Sequence, residues 1–523
     1  MGLLNCCKLL AASMCAFLLA MPAISQNRPA VMTQQGKVEG KMSPDGGVRE
    51  FLGIPYAVPP LGPLRWKPPQ PGLKWRRVRS TTSFGAHCMQ PTIYADMIFR
   101  DPGQSEDCLT LNVWTPAKAK GAKLPVMVWI HGGGLPGGSS EPRQDGEHLA
   151  HKGVLVVSMN YRLGIFGFFA LPALAKESPR HAAGNYGLMD QIAALQWVHR
   201  NIAAFGGDPE NVTIFGESFG SISASVLLAS PLTKGLFARA IGESGGAFTN
   251  FSPTPQIVAQ RQDQDFAQAA FGNSNLASLR QVSAAELLKA STAKTTGDDT
   301  IFVPDVDGDV LPESVEAIYA GGKQAHVPLL AGWNKDEGGT VDPAERPALE
   351  SLREMASKQF GSRSGEFLDV YAASTDAEAV RVLEDYAGDA FIAHSTWAWL
   401  EAQVKTGNAP VFRYHFDLGS PGDPNHPASI GVFHSDDIEY VFGNLDSRKG
   451  AHWRPEDYQL SELMQNYWIN FARTGNPNGP NLPDWPGYNA AGKWQVMHLS
   501  PDAKAEPDQH RDRYLFLQQV WEK

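Results

Sequence analysis

A short apolar run at residues 212–215 (V-T-I-F) leads directly into the pentapeptide 216–220 (G-E-S-F-G), and this junction constrains the fold more than any other feature of the chain. The run predicts a β-strand, and the small residues that follow the pentapeptide favour a helix. A strand-to-helix turn of this kind strains the backbone at Ser218 and lifts its hydroxyl clear of the sheet, while the flanking glycines leave room where side chains would collide. The pentapeptide alone is also compatible with a chance loop, but its position between a strand and a helix favours a reactive serine.

Strand-like and helix-like segments alternate along the chain. Residues 126–130 (V-M-V-W-I) and 154–157 (V-L-V-V) have the β-branched content of buried strands. An apolar face with spacings of three and four predicts a helix that ends near residues 205–209, and its members are Leu188, Ile192, Leu195, Val198 and Ile202. This alternation predicts an α/β fold with a mostly parallel central sheet, helices on both faces and long excursions above it. We find neither an internal repeat nor a dividing linker, so residues 26–523 are expected to form a single domain.

The first 25 residues predict a removable export signal. Lys8 and the amino terminus supply positive charge, residues 9–20 are almost wholly apolar, and small residues at 23 and 25 occupy the positions that a signal peptidase inspects. A membrane anchor is the alternative, but this run is shorter than the roughly 20 residues that cross a bilayer. We therefore expect a signal peptide at 1–25 and an exported protein, periplasmic or extracellular, without stable membrane insertion.

The cysteines and the charge restrict the protein further. Three of the five cysteines lie within the expected signal, which leaves Cys88 and Cys108. An even pair, close in sequence in an exported chain, predicts a disulfide, with two free thiols as the alternative. The formal net charge of −10 argues against a nucleic-acid partner, because neutralising phosphates requires a basic face.

A serine hydroxyl is a poor nucleophile near neutral pH, so it needs a base, a group that orients the base, and donors for the oxyanion that forms. Residues 131–134 (H-G-G-G) follow a predicted strand, and consecutive glycines let backbone N–H groups approach a substrate carbonyl. A flexible turn and a phosphate-binding loop are the alternatives, but a Walker-type loop needs a lysine beside its glycines, and none stands here. We predict an oxyanion hole made by the N–H groups of Gly133, Gly134 and Phe219.

In α/β-hydrolases the acid and then the histidine follow the serine along the chain. Residues 327–332 (V-P-L-L-A-G) predict a strand, and Asp336 and Glu337 follow it at the sheet edge expected to carry the serine, with a solvated turn as the alternative. His434 lies in a predicted loop before the apolar residues 438–442, although among fourteen histidines many are expected at the surface or in structural roles. His131 precedes the serine and opens the glycine run, which argues against it as the base.

These residues resemble the type-B carboxylesterase and cholinesterase-like family of α/β-hydrolases over nearly all of the chain after residue 25. The resemblance also covers segments outside the motifs above: 51–57 (F-L-G-I-P-Y-A), 64–66 (L-R-W), 105–109 (S-E-D-C-L), 205–209 (F-G-G-D-P), 471–475 (F-A-R-T-G) and 485–486 (W-P). It implies an α/β-hydrolase fold and a secreted serine carboxylesterase that acts through an acyl-enzyme intermediate, with a small-molecule ester as its partner and no metal or organic cofactor.

The family uses a Ser-Glu-His triad. The resemblance assigns these roles to Ser218, to Glu337 rather than Asp336, and to His434. It also implies several structural contacts, which are a Cys88–Cys108 disulfide, the ion pairs Arg65–Glu106 and Arg162–Asp190, and support of the acid by Ser244.

Two positions depart from the family pattern. Phe219 stands where alanine is usual, and Leu135-Pro136 replaces the usual phenylalanine after the glycines, so both changes concern the shape of the pocket. The triple glycine is associated in this superfamily with tolerance of bulky alcohol groups, which we expect here. The segment between Cys88 and Cys108 has no tryptophan for cation–π contact, so choline esters are expected to gain no advantage.

Three other functions are possible on this scaffold. A non-catalytic adhesion or binding protein is the alternative from a different class, and the retention of Ser218, Glu337 and His434 argues against it. A lyase and a peptidase are the enzymatic alternatives, and no feature of the sequence favours either. The sequence specifies neither the natural ester nor an oligomeric state.

Overall fold

The computed structural model describes residues 28–94, 97–294, 302–340, 347–424 and 426–521. The expected signal peptide at 1–25 lies outside these ranges. In chain order, the strands in the described residues are β1 (Ala30–Met32), β2 (Lys37–Glu39), β3 (Lys41–Met42), β4 (Arg49–Pro55), β5 (Arg79–Ser80), β6 (His87–Cys88), β7 (Gln104–Ser105), β8 (Thr110–Thr115), β9 (Leu124–Ile130), β10 (Leu155–Met159), β11 (Gly207–Glu217), β12 (Arg239–Glu243), β13 (Thr254–Pro255), β14 (Asp305–Val306), β15 (Leu329–Asn334), β16 (Val411–Phe416), β17 (Gln495–Leu499) and β18 (Lys504–Pro507).

The α-helices in the same residues are α1 (Glu147–His151), α2 (Gly164–Phe168), α3 (Pro172–Glu177), α4 (Tyr186–Phe205), α5 (Phe219–Ala229), α6 (Gln256–Phe271), α7 (Leu276–Leu279), α8 (Ala284–Lys294), α9 (Val315–Ala320), α10 (Ala348–Phe360), α11 (Ser364–Val370), α12 (Asp376–Gly388), α13 (His394–Thr406), α14 (Ile438–Phe442), α15 (Pro455–Thr474) and α16 (Arg511–Trp521). A π-helical turn, Asp389–Ala393, joins α12 to α13. Short 3₁₀ turns occupy Gly62–Leu64, Pro142–Gln144, Pro231–Thr233, Thr249–Phe251, Gly361–Arg363, Ala428–Ile430 and Leu445–Ser447.

An eleven-stranded sheet forms the centre of the molecule, in the order β18-β17-β16-β15-β12-β11-β9-β10-β8-β4-β3. From β17 through β10 neighbouring strands are parallel. At both ends of the sheet the strands are antiparallel to their neighbours. This confirms the predicted mostly parallel α/β fold. Because parallel strands end at one edge, the segments that follow β9, β11, β12 and β15 meet at that edge.

Both faces of the sheet are buried, as β9 demonstrates. Successive side chains of a strand point to opposite faces. Val126, Val128 and Ile130 belong to the apolar core that includes α4 and α5, whereas Met127 and Trp129 belong to a second core that includes α14 and α15. The uninterrupted apolar run of this strand therefore follows from its position between two layers of helices.

Helix α4 confirms the predicted apolar helical face. Its five periodic residues are buried, and the helix ends at Phe205 as expected. Gly206 then adopts φ 98°, the left-handed conformation that glycine takes at low cost after a helix. The chain can thus reverse direction and enter β11, which ends next to Ser218.

Two predicted ion pairs are confirmed. Arg65 donates from Nε and Nη2 to the two carboxylate oxygens of Glu106, at 2.6 Å each. Arg162 makes the same two-point contact with Asp190, at 2.7 and 2.8 Å. These planar contacts are the geometry in which guanidinium and carboxylate groups hold each other most firmly.

The Sγ atoms of Cys88 and Cys108 lie 2.04 Å apart, the distance of a disulfide bond. The disulfide closes the segment that carries Tyr94 and Met97, two residues that line the cavity described below. Within the described part of the chain, no helix has both the length and the apolar character needed to cross a membrane.

Candidate active site

Ser218 lies at the turn between β11 and α5, with φ 55° and ψ −123°. Such a backbone conformation costs about 1–3 kcal/mol in a residue other than glycine and clusters at functional sites. The turn packs directly on the end of β9. A Cβ at position 216 would lie 2.6 Å from the carbonyl oxygen of Ile130, and one at position 220 would overlap the same atom. The two glycines of the pentapeptide are therefore required by this close approach.

His434 lies between the serine and the acid that the sequence predicts. Its Nε2 is 2.9 Å from Ser218 Oγ, and its Nδ1 is 2.7 Å from Glu337 Oε2. The imidazole comes from the loop before α14, and the carboxylate comes from the turn after β15. With Nδ1–H donating to the carboxylate, Nε2 presents a lone pair to the hydroxyl, which is the arrangement that activates a serine.

The Glu337 carboxylate is held from both sides. Its side chain is 1% exposed, and Oε1 accepts hydrogen bonds from Ser244 Oγ at 2.5 Å and from the Asn334 N–H at 2.9 Å. Ser244 follows β12, and the resemblance had assigned it this supporting contact. Because Oε1 is occupied by these donors, Oε2 is left to orient the imidazole of His434.

Asp336, the other acidic candidate at this strand exit, points elsewhere. Its Oδ2 accepts a hydrogen bond from the backbone N–H of Val432 at 2.8 Å. Val432 lies two residues before His434, so Asp336 anchors the loop that carries the imidazole. The two neighbouring carboxylates therefore act on the same loop, one on its backbone and the other on its histidine.

The predicted oxyanion donors lie beside Ser218. Gly133 and Gly134 line the same cavity and adopt φ 101° and 64°, the left-handed region that favours glycine. Phe219 is the first residue of α5, and the first N–H groups of a helix have no acceptor within it. The N-terminus of a helix also favours negative charge. All three predicted N–H groups therefore belong to segments that can serve a developing oxyanion.

His131 has a structural role. Burial lowers its pKa to about 4, so the ring is neutral, and its Nδ1 lies 2.9 Å from the Gly132 carbonyl oxygen. Tyr161 stacks on the ring and donates its hydroxyl to the His131 carbonyl oxygen at 2.6 Å. These contacts fix the start of the glycine run.

A cavity of about 630 Å³ opens above Ser218. Its walls are largely apolar and include Met97, Leu135, Phe219, Ile222, Phe251 and Phe391. The Phe219 ring packs edge-on against Phe168, with ring centres 5.8 Å apart. The residue that replaces the usual alanine is therefore held in the cavity wall by a neighbouring ring. Phe391, from the π-helical turn, meets the His434 ring edge-on at 5.2 Å.

Comparison with known proteins gives the family. The family model described as "Carboxylesterase family" matches residues 27–516. The chain belongs to the carboxylesterase family. This confirms the resemblance found in the sequence, and the protein is accordingly a carboxylic ester hydrolase of the serine esterase type with an α/β-hydrolase fold.

Relatives in this family include proteins from animals and bacteria. The chain is 38% identical to carboxylesterase 1C of Rattus norvegicus over 88% of each chain. It is 38% identical to para-nitrobenzyl esterase of Bacillus subtilis, over 92% of this chain and 97% of that protein. It is 36% identical to fumonisin B1 esterase of Sphingopyxis macrogoltabida, over 88% and 85%. Two solved structures align with 94% of this chain and with the full length of their own chains. The structure named PNB esterase has a TM-score of 0.76 at 36% identity, and the one named thermophylic PNB esterase has a TM-score of 0.79 at 37% identity.

In this carboxylesterase, Glu217 is the site residue that sequence reasoning missed. Its Oε1 lies 3.2 Å from His434 Nε2, and its side chain is 4% exposed. Burial raises the pKa of Glu217 to about 8. Burial alone would lower the pKa of His434, but the carboxylates of Glu217 and Glu337 outweigh it and raise that pKa to about 9. The available signal was an acidic residue ending a buried apolar strand, immediately before the serine.

Replacing Glu217 by glutamine is expected to move the acidic limb of the pH profile of kcat/KM to lower pH. The carboxylate favours the protonated imidazole, so without its charge His434 loses its proton at lower pH. An opposite charge at this range shifts a pKa by about 1–3 units, so we expect a shift of about 1 unit or more. The control is Glu313→Gln, which removes an exposed partner of Lys323. An unchanged limb, or one moved to higher pH, contradicts this electrostatic role.

Proposed function

We propose that this protein is a serine carboxylesterase in which Ser218 is the nucleophile, His434 the general base and acid, and Glu337 the orienting acid. The observation that carries the proposal is the unbroken series of contacts from Ser218 Oγ to His434 and from His434 to Glu337. The strained serine turn and the glycine donors beside it support the same chemistry, because acyl transfer needs a nucleophile, a base and an oxyanion hole in one place.

The proposed reaction has two steps of acyl transfer. His434 Nε2 takes the proton from Ser218 as Oγ attacks the ester carbonyl, and the oxyanion accepts hydrogen bonds from the N–H groups of Gly133, Gly134 and Phe219. Glu337 holds Nδ1–H and stabilises the imidazolium. His434 then protonates the departing alcohol, and a water molecule, activated in the same way, releases the acid from the acyl-enzyme.

Bulky, uncharged esters are the proposed substrate class. The cavity of about 630 Å³ has mostly apolar walls, and no side chain projects from Gly133 or Gly134 beside the serine. The name of the Bacillus subtilis relative refers to a para-nitrobenzyl ester, whose alcohol part is aromatic. A cavity of this size and character has room for such a group on either side of the ester bond.

A serine-reactive organophosphonate tests the nucleophile. We expect the probe to label the wild-type protein, and Ser218→Ala to abolish labelling and lower kcat by at least about 10³-fold, because the triad acts as a unit. Ser252→Ala is the matched control, since Ser252 lines the same cavity. The proposal fails if the wild type is not labelled, which would favour a binding protein, or if folded Ser218→Ala is still labelled.

The bulky-alcohol expectation is tested with tert-butyl acetate and ethyl acetate, which share one acyl group. We expect measurable turnover of both esters, because the glycine triplet leaves space beside the reacting carbonyl. Detectable hydrolysis of ethyl acetate with none of tert-butyl acetate would contradict the proposed tolerance while leaving the triad unaffected.

We also propose export, based on the charge, apolar run and small residues at 1–25. Cell fractionation followed by N-terminal sequencing is expected to find the protein in the periplasm or the medium, beginning at Gln26. The paired substitution Leu18→Arg with Leu19→Arg interrupts the apolar run and is expected to retain the full chain in the cytoplasm. Wild-type protein that keeps its first 25 residues and stays in the cytoplasm would contradict export.

A further inference from the structure

A second cluster of chemistry-bearing side chains lies on β16, β17 and the residue after β16: His415, Asp417 and His498. His415 Nδ1 lies 2.6 Å from Asp417 Oδ1, and His498 Nδ1 lies 2.7 Å from Asp417 Oδ2. One carboxylate thus bridges two imidazoles, and one ligand-type atom from each residue lies within 4.8 Å of the others. The proposed ester chemistry uses none of these groups.

The backbone brings the three side chains together. His415 and His498 are register partners on the parallel strands β16 and β17, so they share one face of the sheet. Asp417 lies two residues after His415 and therefore projects from the same face. The Asp417 N–H donates to the Leu499 carbonyl oxygen at 3.0 Å, which continues the strand pairing to this residue. The cluster is consequently built into the sheet.

The cluster is open to solvent. It lines a cavity of about 610 Å³ that also contains the polar side chains of Glu506 and His510. The side chains of His415, Asp417 and His498 are 20%, 23% and 29% exposed. An ion can therefore reach the cluster, and water from the cavity can complete its coordination.

We propose that His415, Asp417 and His498 bind a divalent late first-row metal ion, and that Zn²⁺ is the best match. Two imidazoles and one carboxylate form a donor set suited to Zn²⁺, whereas Ca²⁺ and Mg²⁺ favour oxygen ligands. Three protein ligands leave a fourth position for water. On binding, the ion takes the place of the two protons that the Asp417 carboxylate shares with the Nδ1 atoms, and each imidazole keeps one proton on Nε2 while it binds the ion as a neutral ligand.

The three side chains must rearrange locally to hold an ion. With metal–ligand bonds of about 2.0–2.1 Å, the ligand atoms of a tetrahedral site lie about 3.3 Å apart. The two measured separations, 2.6 Å from His415 Nδ1 to Asp417 Oδ1 and 2.7 Å from His498 Nδ1 to Asp417 Oδ2, are shorter than this and involve different oxygens. The carboxylate must therefore rotate so that one oxygen and both nitrogens face the ion. All three side chains are partly exposed and border the cavity, so they have space to rotate. The ion would then tie β16 to β17 and stabilise this side of the sheet.

The test uses the mature protein after treatment with a chelator and its removal. Equilibrium dialysis against Zn²⁺ with elemental analysis is expected to give one ion bound at this site per chain, together with a rise in Tm. Ca²⁺ at the same concentration is expected to produce neither. Absence of Zn²⁺ uptake by the wild type overturns the proposal. Because binding is measured without substrate, this result is independent of whether the ester chemistry is correct.

Variants locate the ion. Asp417→Asn is expected to weaken Zn²⁺ binding at least tenfold, and His415→Asn with His498→Asn to abolish it. His151→Asn is the matched control, because His151 belongs to a separate His-containing acidic cluster, with Asp45 and Glu147. Ester hydrolysis and the Tm in chelator establish that each variant is folded. Wild-type binding in the folded double variant overturns the proposal.

X-ray absorption spectroscopy of the wild-type zinc protein provides a test that needs no variant. The expected spectrum contains only nitrogen and oxygen neighbours, with the outer-shell scattering of two imidazoles. A spectrum with no imidazole scattering overturns the assignment.

Discussion

The close packing of the turn at residues 216–220 on β9 is the constraint on which the rest of the site depends. The carbonyl oxygen of Ile130 leaves no space for a Cβ at position 216 or 220, so the turn can be this tight only with glycine at both positions. Because the turn is tight, Ser218 adopts φ 55° and α5 starts at the next residue. The cost of this strain is offset by the burial of α5 and β11 in the core. The same packing places the hydroxyl next to the glycine run after β9, so the proposed nucleophile and the proposed oxyanion donors are positioned by one contact.

The parallel sheet explains why residues so distant in sequence meet. The glycine run follows β9, Ser218 follows β11, Ser244 follows β12 and Glu337 follows β15, and these strands are successive neighbours in the sheet. Parallel neighbours present their carboxyl ends at one edge, so each loop delivers a different part of the proposed machinery to the same place. His434 is brought to this edge by a longer excursion, which is anchored through Val432 by Asp336. The chemistry is thus divided among loops, while the sheet keeps them in register.

The sequence predicted the strands best where both faces are buried, because a short uninterrupted run of β-branched residues is typical of such strands. Boundaries were less accurate: β10 runs to Met159, beyond the predicted V-L-V-V, because Ser158 and Met159 pair with β8 and β9.

The residues alone did not separate Asp336 from Glu337, since both follow the same strand and differ only in the direction of their side chains. Family resemblance selected Glu337. The proximity of Glu217 to His434 was not predictable, because it depends on the rotation of β11 relative to a loop more than two hundred residues away.

The position of Glu217 has a consequence for the energetics of the proposed reaction. A buried carboxylate is costly when charged, and this cost raises its pKa, whereas a neighbouring imidazolium lowers it. Glu217 therefore ionises most readily when His434 carries a proton, and the two groups titrate as a coupled pair. During acyl transfer His434 becomes positively charged, and a negative charge on each side of the ring then stabilises it. Between turnovers the same charges favour a protonated imidazole that cannot act as a base. The Glu217 carboxylate, next to the serine, consequently has two opposing effects. It stabilises the protonated His434 that forms during the reaction, and it lowers the fraction of His434 that is available as the free base.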